Sequence, residues 1–113
     1  MPEKRYDKFT VVMTNEAKRD LTEIIRYIAK SNPHTALMIM DRLKAKISKL
    51  KHFPHRGAYV RELQGKTAKK CRQITEPPWK IIYKVDDKTV HIMAIIDSGR
   101  NLEDILVRKF LKF

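Results

Sequence analysis

The stretch WKIIYKVDDKTVHIMAIID, Trp79–Asp97, decides the fold. Trp79, Ile81, Tyr83 and Val85 alternate with Lys80, Ile82 and Lys84. After the polar Asp86-Asp87-Lys88, Val90, Ile92, Ala94 and Ile96 alternate with His91, Met93 and Ile95. Period-two patterning rich in β-branched and aromatic residues predicts strands, and a short polar link between two such runs predicts a β-hairpin. Both faces of the second run are largely apolar, which predicts a central strand covered on both sides. The first run carries Lys80 and Lys84 on one face. The hairpin therefore predicts a sheet with helices on one side and a basic, partly open surface on the other.

Upstream, Phe9-Thr10-Val11-Val12-Met13 predicts a first strand, with Thr14 as the N-cap of a following helix. Ala17, Leu21, Ile24, Ile25 and Ile28 share one face of that helix, and Arg19, Asp20, Glu23 and Arg26 are expected to be solvated. Ser31-Asn32-Pro33 ends it. Asn32 suits the cap of a second helix and Pro33 its first position. Ala36, Met40, Leu43, Ile47 and Leu50 recur at steps of four and three, which makes an apolar seam. The two helices predict an antiparallel hairpin, with Met38 and Met40 as core filler.

Pro54 and Gly57 punctuate the exit from the second helix. Tyr59–Leu63 predicts a short strand, followed by a Gln64-Gly65-Lys66-Thr67 loop. Lys69–Thr75 predicts another strand, whose outward Arg72 would lie near Lys80 and Lys84 if the strands are neighbours. Glu76-Pro77-Pro78 leads into the hairpin. After Asp97, Ser98-Gly99-Arg100-Asn101 predicts a turn with Asn101 as an N-cap. Leu102, Ile105, Leu106, Phe110 and Phe113 then form the apolar stripe of a terminal helix, either docked on its own sheet or offered to a partner. The order β-α-α-β-β-β-α is an α+β domain, a helical hairpin packed on a small antiparallel sheet.

The length of 113 residues predicts one domain spanning residues 1–113. The net charge is +12 and it is unevenly spread. Between Arg42 and Lys84 stand thirteen Lys/Arg and two acids, Glu62 and Glu76, against twelve and eleven in the rest of the chain. Such a segment implies a polyanionic partner (nucleic acid, an anionic membrane or an acidic protein) or, more blandly, a solvated surface. The single cysteine, Cys71, forms no internal disulfide, and no apolar run reaches spanning length, so a cytoplasmic protein away from the membrane is expected. Three glycines leave little room for a phosphate loop. His52 and His55 have no companions at metal-ligand spacing. No metal or cofactor is expected.

Several pieces recur in a familiar order. They are Ala17, Asp20-Leu21, Ile24 and Tyr27-Ile28-Ala29; Asn32-Pro33 and Ala36; Leu43, Ile47 and Leu50; Phe53-Pro54 and Gly57; Trp79–Val85; Val90–Ile96; and Gly99-Arg100-Asn101. In this the chain resembles the RelE/ParE superfamily of small bacterial toxins from type II toxin–antitoxin modules, almost end to end. The Gly99-Arg100-Asn101 turn before an apolar helix looks more like the ParE branch, where the common sequence is Gly-Arg-Arg. The resemblance implies a toxin neutralised by a cognate acidic antitoxin in a hetero-oligomer. It implies a target as well: DNA gyrase for ParE-like members, or messenger RNA cut on the ribosome for RelE-like ones. A non-toxic, basic antitoxin-binding module is a third reading.

The resemblance also assigns residues. Arg100, Asn101, Lys80 and Lys84 form the implied toxicity surface, and Leu102, Ile105, Leu106 and Phe110 the implied antitoxin-binding stripe. Were the chain a metal-independent endoribonuclease, Lys80, Arg100, Arg72 and His91 would be its catalytic candidates. Such chemistry needs a group to take the 2′-hydroxyl proton, cations to stabilise the phosphorane-like charge and an acid for the leaving oxygen. Leu106 stands where nuclease members carry a C-terminal tyrosine, and His91 is the sole strand histidine.

Overall fold

A computed structural model describes residues 8–61 and 70–110, except for the side chains of Leu102, Glu103, Val107 and Phe110. The expectations for Leu63, the Gln64–Thr67 loop and Phe113 lie outside the described residues. The elements are β1 (Thr10–Met13), α1 (Asn15–Ser31), α2 (Pro33–Ser48), β2 (Ala58–Tyr59), β3 (Arg72–Glu76), β4 (Trp79–Asp86), β5 (Thr89–Asp97) and α3 (Leu102–Phe110). They form one sheet in the order β1-β5-β4-β3-β2. The expected hairpin is its centre, closed by a turn in which Asp87 takes a positive φ of 57°.

Three of the four strand pairs are antiparallel. The exception is β1, which runs parallel to β5. A parallel neighbour requires a crossover, and the α1–α2 hairpin supplies it. That hairpin lands on one face of the sheet. Ala17 and Leu21 of α1, with Leu43 and Ile47 of α2, pack there against Ile74, Ile81, Tyr83 and Ile92. Leu43, Ile81, Tyr83 and Ile92 are fully buried, and each of the three aliphatic side chains contributes about 1.5–3 kcal/mol relative to exposure.

The local signals place the helix starts. Thr14 Oγ1 accepts from the Ala17 N–H at 3.1 Å, and Asn32 Oδ1 accepts from the Thr35 N–H at 3.0 Å. Met38 departs from its expected place. It is 43% exposed, because it lies off the Ala36–Met40–Leu43–Ile47 seam.

The expected alternation along β5 also fails at one point. Ile82 pairs with Ala94 and Tyr83 with Ile92, so Met93 is an extra residue on β5. Such a bulge shifts the side-chain phase by one. Val90, Ile92 and Ile95 therefore face α1 and α2, while Ala94 and Ile96 face the other way. On that second face they join Val60, Cys71, Ile82 and Leu106 of α3 in a smaller core. Among the described residues, no helix is long and apolar enough to cross a membrane.

Candidate functional site

Strand register sorts the candidate cations. Lys80 and Lys84 flank Ile82 on the face turned away from α1 and α2, as the alternation predicts. Lys84 lies opposite His91, and Lys80 opposite Ile96. His91 is also level with Val12 of β1, which is 40% exposed. Lys80, Lys84 and His91, each half-buried, form a basic strip beside the second core.

Arg72 does not join them. β3 and β4 are neighbours, but Arg72 pairs with Tyr83, whose side chain faces the helices. Arg72 therefore sits on the opposite face from Lys80 and Lys84. Its Nη1 donates to the His55 carbonyl at 3.1 Å and to the Gly57 carbonyl at 2.7 Å. Its Nη2 donates to the Tyr59 hydroxyl at 3.1 Å, and the guanidinium lies 4.3 Å from the Tyr59 ring centroid. A cation held by three acceptors and a ring braces the loop before β2.

The Tyr83 hydroxyl completes that brace by accepting the Gly57 N–H at 2.9 Å. Burial pushes the Tyr83 phenol above its ordinary pKa, against the opposing pull of the Gly57 N–H and of Arg72 and Arg56. A Cβ on Gly57 would fall 2.6 Å from the Gln73 carbonyl oxygen and 2.7 Å from the Tyr83 hydroxyl. Gly57, legible in sequence only as punctuation, is thus required by a close approach.

Arg100 belongs to a third place. A cleft of about 650 Å³ opens between α1 and α3. Asp20, Glu23, Ile24, Tyr27 and Ile28 line it from α1, at the spacing of one helical stripe. Arg100 lines it with Ile105, Arg108 and Lys109, and the sheet contributes Trp79 and Ile95. Tyr27 is 76% exposed. Asn101 Oδ1 accepts from the Asp104 N–H at 3.1 Å, so it acts as the expected cap of α3.

Asp20, expected to be solvated, is instead a junction. Its Oδ2 accepts the Ile95 N–H at 3.0 Å, and its Oδ1 lies 3.4 Å from Lys109 Nζ. Lys109 also reaches Glu16 Oε2 at 2.9 Å. Burial raises the Asp20 pKa even though the Ile95 N–H and Lys109 pull it down. Burial alone would lower that of Lys109, but Glu16 and Asp20 outweigh it and the pKa rises.

The implied antitoxin-binding stripe is divided by the fold. Leu106 is fully buried in the chain's own second core, the own-sheet docking that is one of the two placements expected for the stripe. Leu106 packs there with Ile82, Ala94 and Ile96. Ile105 is half-buried, touching that core and lining the cleft. The side chains of Leu102 and Phe110 lie outside the described residues. Among the described residues, no group of three or more His, Cys, Asp or Glu could hold a metal ion.

A helical hairpin crossing one face of a five-stranded, mostly antiparallel sheet, with a terminal helix on the other, is the architecture of the RelE/ParE toxins. The model of the ParE toxin of type II toxin–antitoxin system, parDE, matches residues 11–102, and the chain belongs to this family. The chain is 36% identical over 90 residues to Toxin RelE2 of Caulobacter vibrioides, covering 80% of this chain and 96% of that protein. It is 25% identical over 100 residues to Toxin ParE3 of the same species, covering 88% and 96%. Two solved structures share the fold. One is the chromosomal ParDE system from P. aeruginosa, with a TM-score of 0.66 at 19% identity over 80% of this chain and 97% of that one. The other is the RelBE2 toxin–antitoxin complex from Mycobacterium tuberculosis, with a TM-score of 0.52 at 22% identity over 80% and 98%. The chain is a type II toxin–antitoxin toxin of the RelE/ParE superfamily.

Proposed function

We propose that the chain is a ParE-like toxin that inhibits DNA gyrase by binding it and is held in check by an acidic cognate antitoxin. The dispersal of the four candidate nuclease residues supports this reading. Metal-independent RNA cleavage needs base, cation and acid within hydrogen-bond reach of one phosphate. Here Arg72 is spent on loop carbonyls. Lys80 and His91 share the opposite face, Arg100 lines the α1–α3 cleft, and Leu106 is core where the nuclease branch has its tyrosine.

A protein-binding toxin asks less of the site. An exposed cation beside a partly apolar groove with aromatic members is the composition of a binding hot spot, and Arg100 beside Tyr27, Trp79 and Ile28 has it. Two features favour the antitoxin. A net charge of +12 suits fast capture by an acidic chain, and the similar ParDE and RelBE2 structures are toxin–antitoxin systems.

A second reading, ribosome-dependent messenger RNA cleavage, is favoured by the Lys84–His91 pair on β4 and β5 and by the relative named RelE2. Paired assays on purified protein separate the two: gyrase supercoiling with the toxin added, and messenger RNA cleavage on programmed ribosomes. Inhibited supercoiling with intact RNA is the expected result. Cut RNA with normal supercoiling would transfer the assignment to the nuclease reading. Silence in both would leave a non-toxic antitoxin-binding module.

A further inference from the structure

Neither the cleft nor the Asp20 junction uses most of the basic segment that carries the chain's excess charge. Three of that segment's thirteen Lys/Arg stand on the turn between α2 and β2. Lys49, Lys51, His52, His55 and Arg56 are all exposed there. Between them stand two exposed aromatic residues, Phe53 at 62% and Tyr59 at 42%.

The turn is held in shape. The N–H groups of His52 and Phe53 both donate to the Lys49 carbonyl, at 3.2 and 3.1 Å. Arg72 and the Tyr83 hydroxyl grip His55 and Gly57 from the sheet side. The Arg72 guanidinium also lies over the Tyr59 ring and bonds its hydroxyl, which fixes the ring's orientation. From Arg42 to Glu76 the only carboxylate besides Glu76 is Glu62, which lies outside the described residues. Glu76 is engaged by Lys46 at 3.7 Å. In sequence this stretch is bounded by Asp41 on α2 and by Asp86 and Asp87 on the β4–β5 turn.

Exposed aromatic rings are costly on a merely solvated surface. Exposed rings, one of them held by Arg72, interleaved with cations match a polymer that offers flat bases and phosphates in alternation, since stacking tolerates any base and the cations follow the backbone. We propose that the Lys49–Tyr59 turn is a binding surface for single-stranded nucleic acid, with Phe53 and Tyr59 stacking on bases and Lys49, Lys51 and Arg56 meeting phosphates.

This surface is separate from the α1–α3 cleft. Tyr83, which the turn clasps, lies four residues along β4 from Trp79 of the cleft, about 13 Å at strand spacing. The proposal therefore stands apart from the choice of toxin target.

Fluorescence anisotropy of the full chain tests it, with short labelled oligodeoxythymidine, oligouridine and a duplex of equal length. The deoxy strand lacks the 2′-hydroxyl, so any RNA-cleaving activity leaves it intact. Both single strands bind more tightly than the duplex. Phe53→Ala and Tyr59→Ala each weaken single-strand binding about tenfold, within the usual worth of one base–aromatic stack, while Tyr59→Phe retains it. Lys51→Ala and Arg56→Ala each make the log–log salt slope shallower by about 0.7. Arg19→Ala on the outer face of α1 leaves binding unchanged, and unaltered thermal melting confirms that the variants are folded.

Absent single-strand binding overturns the proposal. So does equal affinity for duplex, or insensitivity to alanine at both 53 and 59. Phe53-dependent binding to phosphatidylserine vesicles without oligonucleotide binding assigns the surface to a membrane and overturns it too. A chain that inhibits gyrase but binds no single strand loses this proposal and keeps its target. A chain that binds the strand and spares gyrase does the reverse.

Discussion

Lys109 Nζ lies 3.4 Å from Asp20 Oδ1 while Asp20 Oδ2 accepts the Ile95 N–H at 3.0 Å, so one carboxylate joins α3, α1 and β5. The need for it follows from the sheet edge. β1 ends at Met13, level with Ile92, and Thr14 leads directly into α1. Beyond that point β5 has no neighbouring strand on its outer side. A backbone N–H there needs another acceptor, and the first turns of α1 bring Asp20 to it. Lys109 then partly offsets the charge that this carboxylate carries into a half-buried place.

Replacing Asp20 tests this account. Asp20→Ala leaves the Ile95 N–H without an acceptor and Lys109 with one carboxylate fewer. A loss of about 1–3 kcal/mol is expected, the cost of an orphaned buried donor. Asp20→Asn keeps an acceptor oxygen and loses less. Urea unfolding midpoints measure both, and equal losses for the two variants would argue against the hydrogen bond as the source.

The same junction sets a pH dependence. Asp20 is held above its ordinary 3.8 by burial, so the folded chain binds that proton more tightly than the unfolded chain does. Its contribution to stability is fully present below 3.8 and is lost as pH rises through the native value. Lys109, held above 10.5, has the same sign. Its contribution is present below 10.5 and lost at higher pH. A carbon-detected NMR titration should place the Asp20 midpoint above 3.8. Lys109→Met should raise that midpoint further, because it removes a cation that pulls it down. A midpoint at or below 3.8 would contradict the balance of burial over pairing.

What was legible in the sequence was local. The caps at Thr14, Asn32 and Asn101, the helical seams and the period-two hairpin all depend on neighbours a few residues away. The side of the sheet taken by Arg72 depends on register across a strand pair, where a slip of one residue exchanges the faces. The Met93 bulge has no compositional mark, and it moves Ala94 and Ile96 to the face that α3 covers. Asp20 looked like any solvated helix residue because its partner, the Ile95 N–H, lies 75 positions away. The parallel placement of β1 likewise rests on distant pairing. Of the candidate residues, alternation along β4 puts Lys80 and Lys84 on one face, but their nearness to His91 needed the β4–β5 register, and the cleft around Arg100 needed α1 and α3 to be set side by side.

Gly57 offers a test of packing alone. Gly57→Ala drives a methyl group into the Gln73 carbonyl and the Tyr83 hydroxyl, and overpacking of this kind costs about 1–3 kcal/mol. Tyr83→Phe relieves one clash but strips the Gly57 N–H of its acceptor, at about 1–3 kcal/mol in its own right. Thermal denaturation of each variant should show a lowered midpoint. A neutral Gly57→Ala would mean that the loop before β2 yields easily, and that Arg72 is not bracing it.

Leu106 decides whether α3 is structure or bait. It is fully buried against Ile82, Ala94 and Ile96, so Leu106→Ala should cost about 2–5 kcal/mol. Deleting Leu102–Phe113 should bare the second core and cause aggregation, visible by light scattering. A truncated chain that stayed folded and monomeric while losing antitoxin binding would show that the helix serves a partner first.

Arg100 separates binding from folding. It is exposed on the turn before α3, and a surface change of this kind shifts stability by no more than about 0.5 kcal/mol. If it anchors the target, Arg100→Ala should weaken gyrase inhibition by about thirtyfold or more, the loss of one interfacial hot spot of 2 kcal/mol, with unfolding unchanged. Lys80→Ala provides the contrast. On β4 and not among the residues that line the cleft, it should leave gyrase inhibition intact, whereas an RNA-cleaving chain would lose about a hundredfold in rate with that cation. Intact inhibition by the Arg100 variant would move the binding surface away from the cleft. Selective loss of RNA cleavage in the Lys80 variant would place the chemistry on the basic strip of Lys80, Lys84 and His91. Because Arg100 stands on the turn before α3 and Lys80 on β4, outside the residues that line the cleft, and neither is core, each variant reports on its own neighbourhood.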